Sequence, residues 1–443
     1  MIFKRKIYSK MLEWKQQSNG KTALLIKGAR RVGKSTIVKE FAQKEYKTCI
    51  LIDFSNVSKQ VNALFEDMMN LDYFFIRLQT FFNVTLYNRN SVIIFDEVQF
   101  QPLARQAIKH LVADGRYDYI ETGSLISIRK NVENILIPSE EEQLPLYPMD
   151  LDEFYWATGN DATPEHLKQI FAMKQPIGDA VHRKLMKDLR LYMLVGGMPQ
   201  AVDAYINENN LQAVDKVKRN ILQLYDVDFN KIDQSGRASK IFKNIPAQLT
   251  GNAARYMIST VTDSRRSDAI STIVSEMKES MVVNIAYNTT DPNVGLGMSR
   301  DLDSYKIYLG DTGLFVTLAF WDKDFAENII YQKLLNDKLD ANLGYVYENL
   351  VAQMLRCGGN ELYYHTFPSG NGNHNYEIDF LISNGNKIVP IEVKSSGYKS
   401  HKSLDVFCSK YSSRIGDRIL LYTKDYKKED AVQYIPVYFT GML

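Results

Sequence analysis

The sequence has few cysteines and lacks long hydrophobic runs. Cys49, Cys357 and Cys408 are far apart and odd in number, which excludes a disulfide framework and a zinc-ligand pattern. The longest apolar stretches fall far short of the ~20 residues that a helix needs to cross a bilayer. Charged residues interrupt the apolar runs at the N-terminus, so no signal peptide is predicted. We therefore expect a cytoplasmic protein with no membrane partner.

The chain as a whole also lacks an excess of charge of one sign. Its net charge of +2 over 443 residues predicts no strong polyanion partner. The first fifty residues nevertheless hold thirteen Lys and Arg against three Glu, and four of these cations lie in the short stretch 27–34. For the other nine, a solvated helix face is favoured, with a nucleic-acid-binding patch as the alternative.

Length and composition are those of a globular protein of about three domains. From residue 21, short apolar strands alternate with segments of helical periodicity, including one over 57–82, a pattern typical of a parallel sheet covered by helices. Four strands are predicted up to residue 121. A fifth strand is predicted near 143–147, and its prolines indicate that it is short or lies at a sheet edge. We assign residues 1–160 to an α/β domain.

Helical patterns dominate the middle of the chain, which we assign to a second domain over 161–335. A weak strand pair at 281–287 and 305–309 follows a helix predicted at 267–278 and would form the wing of a winged-helix unit. A plain helical bundle is the alternative. Residues 336–443 are assigned to a third, α/β domain.

One loop of the first domain carries a phosphate-binding motif. Residues 28–35 fit G-x-x-x-x-G-K-[ST] without a mismatch, directly after the first predicted strand and at the start of a helix. Backbone N–H groups of such a loop, together with the helix N-terminus, surround phosphate oxygens. Lys34 would reach the terminal phosphates and act in catalysis, and Ser35 would ligate Mg²⁺. The predicted ATP-binding residues of the loop are Gly28, Ala29, Arg30, Arg31, Val32, Gly33, Lys34, Ser35 and Thr36.

The third and fourth predicted strands end in polar residues at the edge where a parallel sheet binds ligands. We predict that Asp96 holds Mg²⁺ and that Glu97 polarises the water that attacks ATP. Capping of the next helix is the alternative for this acidic pair. Ser124, or Thr122, is expected to touch the γ-phosphate or the attacking water, although an ordinary turn explains these residues equally well.

With these motifs, the chain resembles the AAA-type ATP-binding proteins of bacteria and archaea that carry a C-terminal domain of unknown function with a restriction-endonuclease-like fold. The resemblance rests on segments spread over nearly the whole chain. It implies an ASCE-type ATPase core, a helical and winged-helix middle and a nuclease-like end, and no arginine finger can be carried over by motif. The segments are 28–36, 96–99, 122–124, 147–154, 196–199 and 308–314.

The C-terminal domain carries the residues of a PD-(D/E)XK nuclease. A hairpin with an Asn-Gly turn is predicted over 377–394, with Asp379 on one strand and Glu392 and Lys394 on one face of the other. Asp379, Glu392 and, from a helix, Glu348 would bind Mg²⁺ or Mn²⁺, and Lys394 would act in catalysis. Ordinary cross-strand pairing is the alternative, and the charge of +1 over 341–443 predicts no basic DNA-binding surface.

Three functions fit these features. The first is an ATPase that gates a metal-dependent nuclease acting on DNA or RNA. The second is a nucleotide-switched scaffold or regulator whose nuclease-like domain has become a binding module. The third is a motor that uses the nuclease-like fold as a nucleic-acid tether. Self-association through the ATPase domain is a further expectation.

Overall fold

The computed structural model describes residues 1–66, 68, 70–123, 139–251, 255–257, 267–322, 329–336, 344–369 and 375–443. They form two compact units, which we call unit 1 (Met1–Tyr147) and unit 2 (Pro148–Leu443). Among the helices in these ranges, none has both the length and the apolar character needed to cross a membrane.

Unit 1 is built on a five-stranded, fully parallel sheet with the strand order β2-β3-β4-β1-β5. The parallel sheet predicted from the alternating pattern is therefore confirmed. β5 lies at an edge, where Pro145 is tolerated because the outer side of an edge strand needs no donor. The strands are β1 (Ala23–Lys27), β2 (Thr48–Asp53), β3 (Ser91–Asp96), β4 (Asp118–Gly123) and β5 (Glu141–Pro145).

Helices cover both faces of this sheet. Side chains alternate along β3, so that Ile93 and Phe95 enter one apolar core while Val92 and Ile94 enter another on the opposite face. This double burial explains why the strands read as continuous apolar runs. The helices are α1 (Ile7–Ser18), α2 (Lys34–Glu45), α3 (Lys59–Leu64), α4 (Leu71–Phe82) and α5 (Pro102–Asp114), with a short 3₁₀ helix at Val98–Phe100.

The helical segment predicted over 57–82 is divided into α3 and α4. The side chain of Ser58 accepts a hydrogen bond from the N–H of Val61, and that of Asn70 accepts one from Tyr73. Each polar side chain thus caps a helix start of its own, which a periodicity of apolar residues does not reveal.

Unit 2 begins with a helical part and adds further helices around its sheet. Asp150 and Glu153 form a reciprocal capping box at the start of its first helix, which gives a structural reason for the motif at 147–154. The helices are α6 (Leu151–Ala157), α7 (Thr163–Met173), α8 (Asp179–Val195), α9 (Pro199–Glu208), α10 (Leu211–Ile232), α11 (Arg237–Lys243), α12 (Ile245–Thr250), α13 (Ser267–Glu279), α14 (Thr312–Ala319), α15 (Ile329–Leu335), α16 (Gly344–Cys357) and α17 (Lys402–Lys410).

The sheet of unit 2 is mixed and has the order β12-β13-β11-β10-β9-β8-β6-β7 among the described residues. Short 3₁₀ helices lie at Leu296–Ser299, Ser412–Arg414 and Val437–Met442. The strands are β6 (Val283–Thr289), β7 (Arg300–Leu309), β8 (Leu362–Pro368), β9 (Asn375–Asn384), β10 (Lys387–Lys394), β11 (Arg418–Tyr422), β12 (Lys427–Glu429) and β13 (Val432–Pro436).

The strand pair predicted as a wing is part of this large sheet. β6 and β7 pair antiparallel, but β6 also pairs in parallel with β8. Pairing on both sides satisfies the backbone groups of β6, which a free-standing wing would leave at an edge. Strands before and after residues 335 and 336 thus belong to one sheet, and the described residues form two units divided at 147/148. The assignment of three domains stays a prediction.

A close backbone approach inside unit 2 explains the glycines of the motifs at 196–199 and 308–314. A Cβ on Gly313 would lie 2.5 Å from the Cα of Gly196, and one on Gly197 would lie 2.1 Å from the carbonyl oxygen of Met149. The Asp311 carboxylate accepts a hydrogen bond from the N–H of Gly197 at 2.5 Å. These contacts join the end of α8 to the first residues of α14 and to Asp311 just before it.

Because the neighbours of Gly313 are backbone atoms, Gly313→Ala should lower the free energy of unfolding by about 1–3 kcal/mol. Chemical denaturation followed by circular dichroism measures this change. Gly344→Ala is the matched control, since its new Cβ would lie an ordinary 3.5 Å from Ser395 Oγ. Equal stability of the two variants would contradict the close approach.

Candidate functional site

The phosphate-binding motif forms a tight loop between β1 and α2. Gly33 has φ 97° and Arg31 has φ 68°, so the chain reverses through left-handed conformations before the helix begins at Lys34. A Cβ at Gly28 would lie 2.4 Å from the carbonyl oxygen of Leu146. Glycines at positions 28 and 33 are thus required by space and by backbone conformation, respectively.

Lys34 lies inside this loop with only 5% of its surface exposed. Its Nζ donates to the carbonyl oxygens of Gly28 and Ala29 at 3.0 and 3.1 Å. Burial lowers the pKa of Lys34, and the nearby carboxylates of Glu97 and Asp96 oppose this shift. The ammonium is therefore held by neutral acceptors, which phosphate oxygens can replace.

Asp96, at the carboxyl end of β3, connects the loop to the sheet. Its Oδ1 accepts a hydrogen bond from Ser35 Oγ at 2.8 Å and another from the Thr122 hydroxyl at the end of β4. Ser35 and Asp96 thus meet as predicted from their positions. The sequence favoured neither Thr122 nor Ser124 as the hydroxyl near the phosphates. The structure places the Thr122 hydroxyl against the Asp96 carboxylate, and Ser124 lies outside the described residues.

Glu97 follows immediately and adopts a left-handed conformation with φ 54°. Its N–H donates to Thr122 Oγ1 at 3.2 Å, and its half-buried carboxylate accepts a hydrogen bond from the side-chain amide of Gln99. Two neighbours therefore fix both the backbone and the side chain of Glu97. A mere capping role for Asp96 and Glu97 does not describe these contacts, because neither side chain caps the 3₁₀ helix that follows.

The sequence did not single out Arg5 as part of this site. Its guanidinium donates to the carbonyl oxygens of Val32 in the loop and Tyr147, at 3.1 and 2.6 Å. No local pattern could have revealed contacts with residues so distant in the chain. Arg30, Arg31 and Thr36 are exposed at the loop surface.

The residues around the loop fit Mg²⁺ and ATP. Mg²⁺ prefers a few protein oxygens supplemented by phosphate and water. The Ser35 hydroxyl and the Asp96 carboxylate supply two such oxygens side by side. The left-handed conformations of Arg31 and Gly33 turn the backbone of the loop tightly, as a phosphate-binding loop requires.

Asp379, Glu392 and Lys394 lie on the neighbouring strands β9 and β10 of unit 2, and Glu348 lies on α16. The register of the β9–β10 hairpin pairs Ile391 with Phe380, which sets Asp379 opposite Glu392. Asp379 Oδ2 accepts a hydrogen bond from the N–H of Val393 at 2.7 Å, and Lys394 Nζ lies 2.8 Å from Glu392 Oε1. The hairpin and its pairing are thus as expected.

Two residues of β7 that the sequence analysis missed belong to this cluster. Lys306 Nζ lies 3.1 Å from Glu348 Oε1 and 2.5 Å from Glu377 Oε1. The Tyr308 hydroxyl donates to the same Glu348 oxygen at 2.6 Å. Their only sequence signal is a lysine and a tyrosine on the same face of an apolar strand, which says nothing of a partner forty residues away.

The electrostatics of the cluster follow from burial and from like charges. Burial and the neighbouring carboxylates of Glu348, Glu377 and Glu392 raise the pKa of Asp379 well above its ordinary value. Burial alone would lower the pKa of Lys306, but the carboxylates around it raise that pKa above its usual range. Lys306 is therefore a permanent ammonium.

The predicted metal site of Glu348, Asp379 and Glu392 does not fit this geometry. Among the described residues, which include all three, no group of three or more His, Cys, Asp or Glu side chains is placed to hold a metal ion. Glu348 is turned towards Lys306, Asp379 towards a backbone N–H, and Glu392 towards Lys394. Each carboxylate thus has a different donor, and they do not converge on one point.

Comparison with protein families agrees with the geometry of unit 1. Residues 20–155 match the family model described as "AAA domain". This match includes the phosphate-binding loop and all five strands of unit 1. Residues 186–324 and 343–439 match two further families, each described only as a domain of unknown function. Among curated proteins, no sequence matches this chain.

Solved structures similar to this chain include a Walker-type ATPase and an ORC1 protein in complex with DNA. One is a Walker-type ATPase of Pyrococcus abyssi, with 15% identity, coverage of 72% of this chain and 96% of that chain, and a TM-score of 0.40. Another is the ORC1 protein of Aeropyrum pernix in complex with DNA, with 11% identity, coverage of 72% and 93%, and a TM-score of 0.29. At these values the likenesses carry no functional argument.

If the AAA-type loop binds ATP through Lys34, Lys34→Ala should abolish ATP binding measured by calorimetry, because it removes the charge that faces the phosphates. Lys39→Ala is the matched control, since it removes an exposed lysine from the same helix. A folded Lys34→Ala protein with unchanged affinity would refute the assignment of the site.

Proposed function

We propose that unit 1 hydrolyses ATP with Mg²⁺ and that its nucleotide state controls a binding role of unit 2. The observation that carries the first part is the arrangement at the tips of β3 and β4. Glu97 is held by Thr122 and Gln99 directly beside the Asp96–Ser35 pair. Binding alone would need only the loop, Ser35 and Asp96, whereas a fixed second carboxylate suits hydrolysis.

Each residue then has a defined task. Lys34 exchanges the carbonyl oxygens of Gly28 and Ala29 for oxygens of the terminal phosphates. Glu97 orients a water molecule and accepts its proton during attack on the γ-phosphate. Bound at Ser35 and Asp96, Mg²⁺ would offset the charge on the phosphates. Thr122 acts as a positioning residue, because its hydroxyl contacts both Asp96 and the backbone of Glu97.

For unit 2, the geometry favours the scaffold or regulator over the metal-dependent nuclease. The hairpin, Asp379, Glu392 and Lys394 support a nuclease-like ancestry for residues 336–443, but the carboxylates are engaged with internal donors. We therefore propose that this domain binds a partner without cleaving it. DNA or RNA as that partner and self-association through unit 1 stay predictions.

Replacement of Glu97 by Gln should separate ATP hydrolysis from ATP binding. The amide keeps the size of the side chain but cannot accept the proton of the attacking water, so phosphate release should fall by at least about a hundredfold. ATP affinity, measured by calorimetry, should stay close to that of the parent protein. Glu13→Gln makes the same change at an exposed position of α1 and should hydrolyse normally. Hydrolysis by Glu97→Gln at the parental rate would show that another group positions the water.

Wild-type protein should leave single- and double-stranded DNA and RNA intact in the presence of Mg²⁺ or Mn²⁺, with and without ATP. Gel analysis of labelled substrates measures this, and Asp379→Ala is the comparison. Cleavage by the wild type that disappears in Asp379→Ala would instead establish the nuclease function and refute the proposed binding role.

A further inference from the structure

We infer that Lys306 takes the place of the divalent metal in the acidic cluster of unit 2, so that this cluster is complete without a metal ion. The cluster consists of Glu348, Glu377, Asp379 and Glu392. The inference deepens the non-cleaving role proposed for this domain and rests on it.

The Lys306 side chain crosses two strands of the sheet. Lys306 starts on β7, yet it reaches Glu377 on β9, with β6 and β8 between these strands. Its directly paired neighbour on β6 is Ala286, which is small and fully buried, and its Nζ lies 5.5 Å from the centre of the Tyr364 ring on β8. The face is thus shaped for a long cationic side chain to cross two strands.

The Lys306 ammonium is more deeply buried than the carboxylates that it contacts. Lys306 is 7% exposed, whereas its partners Glu348 and Glu377 are 19% and 25% exposed. The cation lies deeper than the two carboxylates that it joins, which is the position of an ion held by a site and not of a solvated surface pair. An ammonium buried there without the carboxylates would be strongly unfavourable, so the pairing is structural.

Contacts with Lys306 and Tyr308 occupy one of the predicted metal ligands, Glu348. The Lys306 ammonium and the Tyr308 hydroxyl both contact Glu348 Oε1, so this oxygen has two partners within the protein. Glu392 Oε2 is buried without a hydrogen-bond partner among the described residues, so one oxygen of the original set is still available. Lys306 is therefore a positioning residue that keeps the carboxylates from converging.

Removal of this ammonium should create metal affinity. Lys306→Met leaves the cluster with excess negative charge. The double variant Lys306→Met/Glu377→Gln removes one charge of each sign and leaves Glu348, Asp379 and Glu392. We expect nucleotide-free wild-type protein to show no Mn²⁺ binding that depends on Asp379. The double variant should bind Mn²⁺ at least about tenfold more tightly than the wild type, because Glu348 loses its ammonium partner while all three predicted oxygen ligands stay.

Calorimetry and the Mn²⁺-dependent shift of the melting temperature provide the readouts. Addition of Asp379→Ala to the double variant should abolish the gain. Lys278→Met is the matched control, since it removes a lysine that pairs with Glu361 outside the cluster, and it should behave as wild type. If Lys306→Met or the double variant folds poorly, Mn²⁺ in the refolding buffer should restore its folding.

Three results would overturn the inference: Asp379-dependent Mn²⁺ binding by the wild type, no gain in the double variant, or no rescue of poorly folded variants by Mn²⁺. The proposed functions fail by other results, namely ATP hydrolysis by Glu97→Gln in unit 1 or cleavage of nucleic acid by the wild type.

Discussion

The hydrogen bonds accepted by Asp96 hold the nucleotide site together. One carboxylate oxygen of Asp96 accepts hydrogen bonds from the Ser35 hydroxyl of the phosphate-binding motif and from the Thr122 hydroxyl at the end of β4. The Thr122 oxygen also accepts a hydrogen bond from the N–H of Glu97. This convergence is possible because β1, β3 and β4 are adjacent and parallel, so that their carboxyl ends lie at one edge. The parallel sheet order is thus the constraint from which the site follows.

Two buried lysines show how the same side chain serves opposite purposes. Lys34 is held by backbone carbonyl oxygens, and its burial lowers its pKa. Lys306 is held by two carboxylates, which raise its pKa. Neutral acceptors suit a lysine that must leave them for a charged ligand, whereas charged acceptors suit one that must stay. The partners of each lysine, more than its burial, indicate its role.

The elements that the sequence predicted well are those with local causes. The loop at 28–36 and the strand end at Asp96 carry contiguous residues whose chemistry depends on spacing, and the Asn-Gly hairpin fixes the register of Asp379 and Glu392. The elements that it missed depend on distant pairing. The strand pair 281–287 and 305–309 was found, but its place beside β8 was not, because pairing between distant strands leaves no periodic signal.

The sequence by itself determined the chemistry of the nucleotide site, since the motif, its strand and its helix are consecutive in the chain and the loop depends on the left-handed conformation of Gly33. Tertiary structure alone decided the state of the acidic cluster. Folding brings the predicted ligands Glu348, Asp379 and Glu392 together, and Lys306 on β7 places its ammonium against Glu348. A lysine from a distant strand can thus engage carboxylates that a motif predicts to be metal ligands, because electrostatic interactions depend on distance in space and not on separation along the chain.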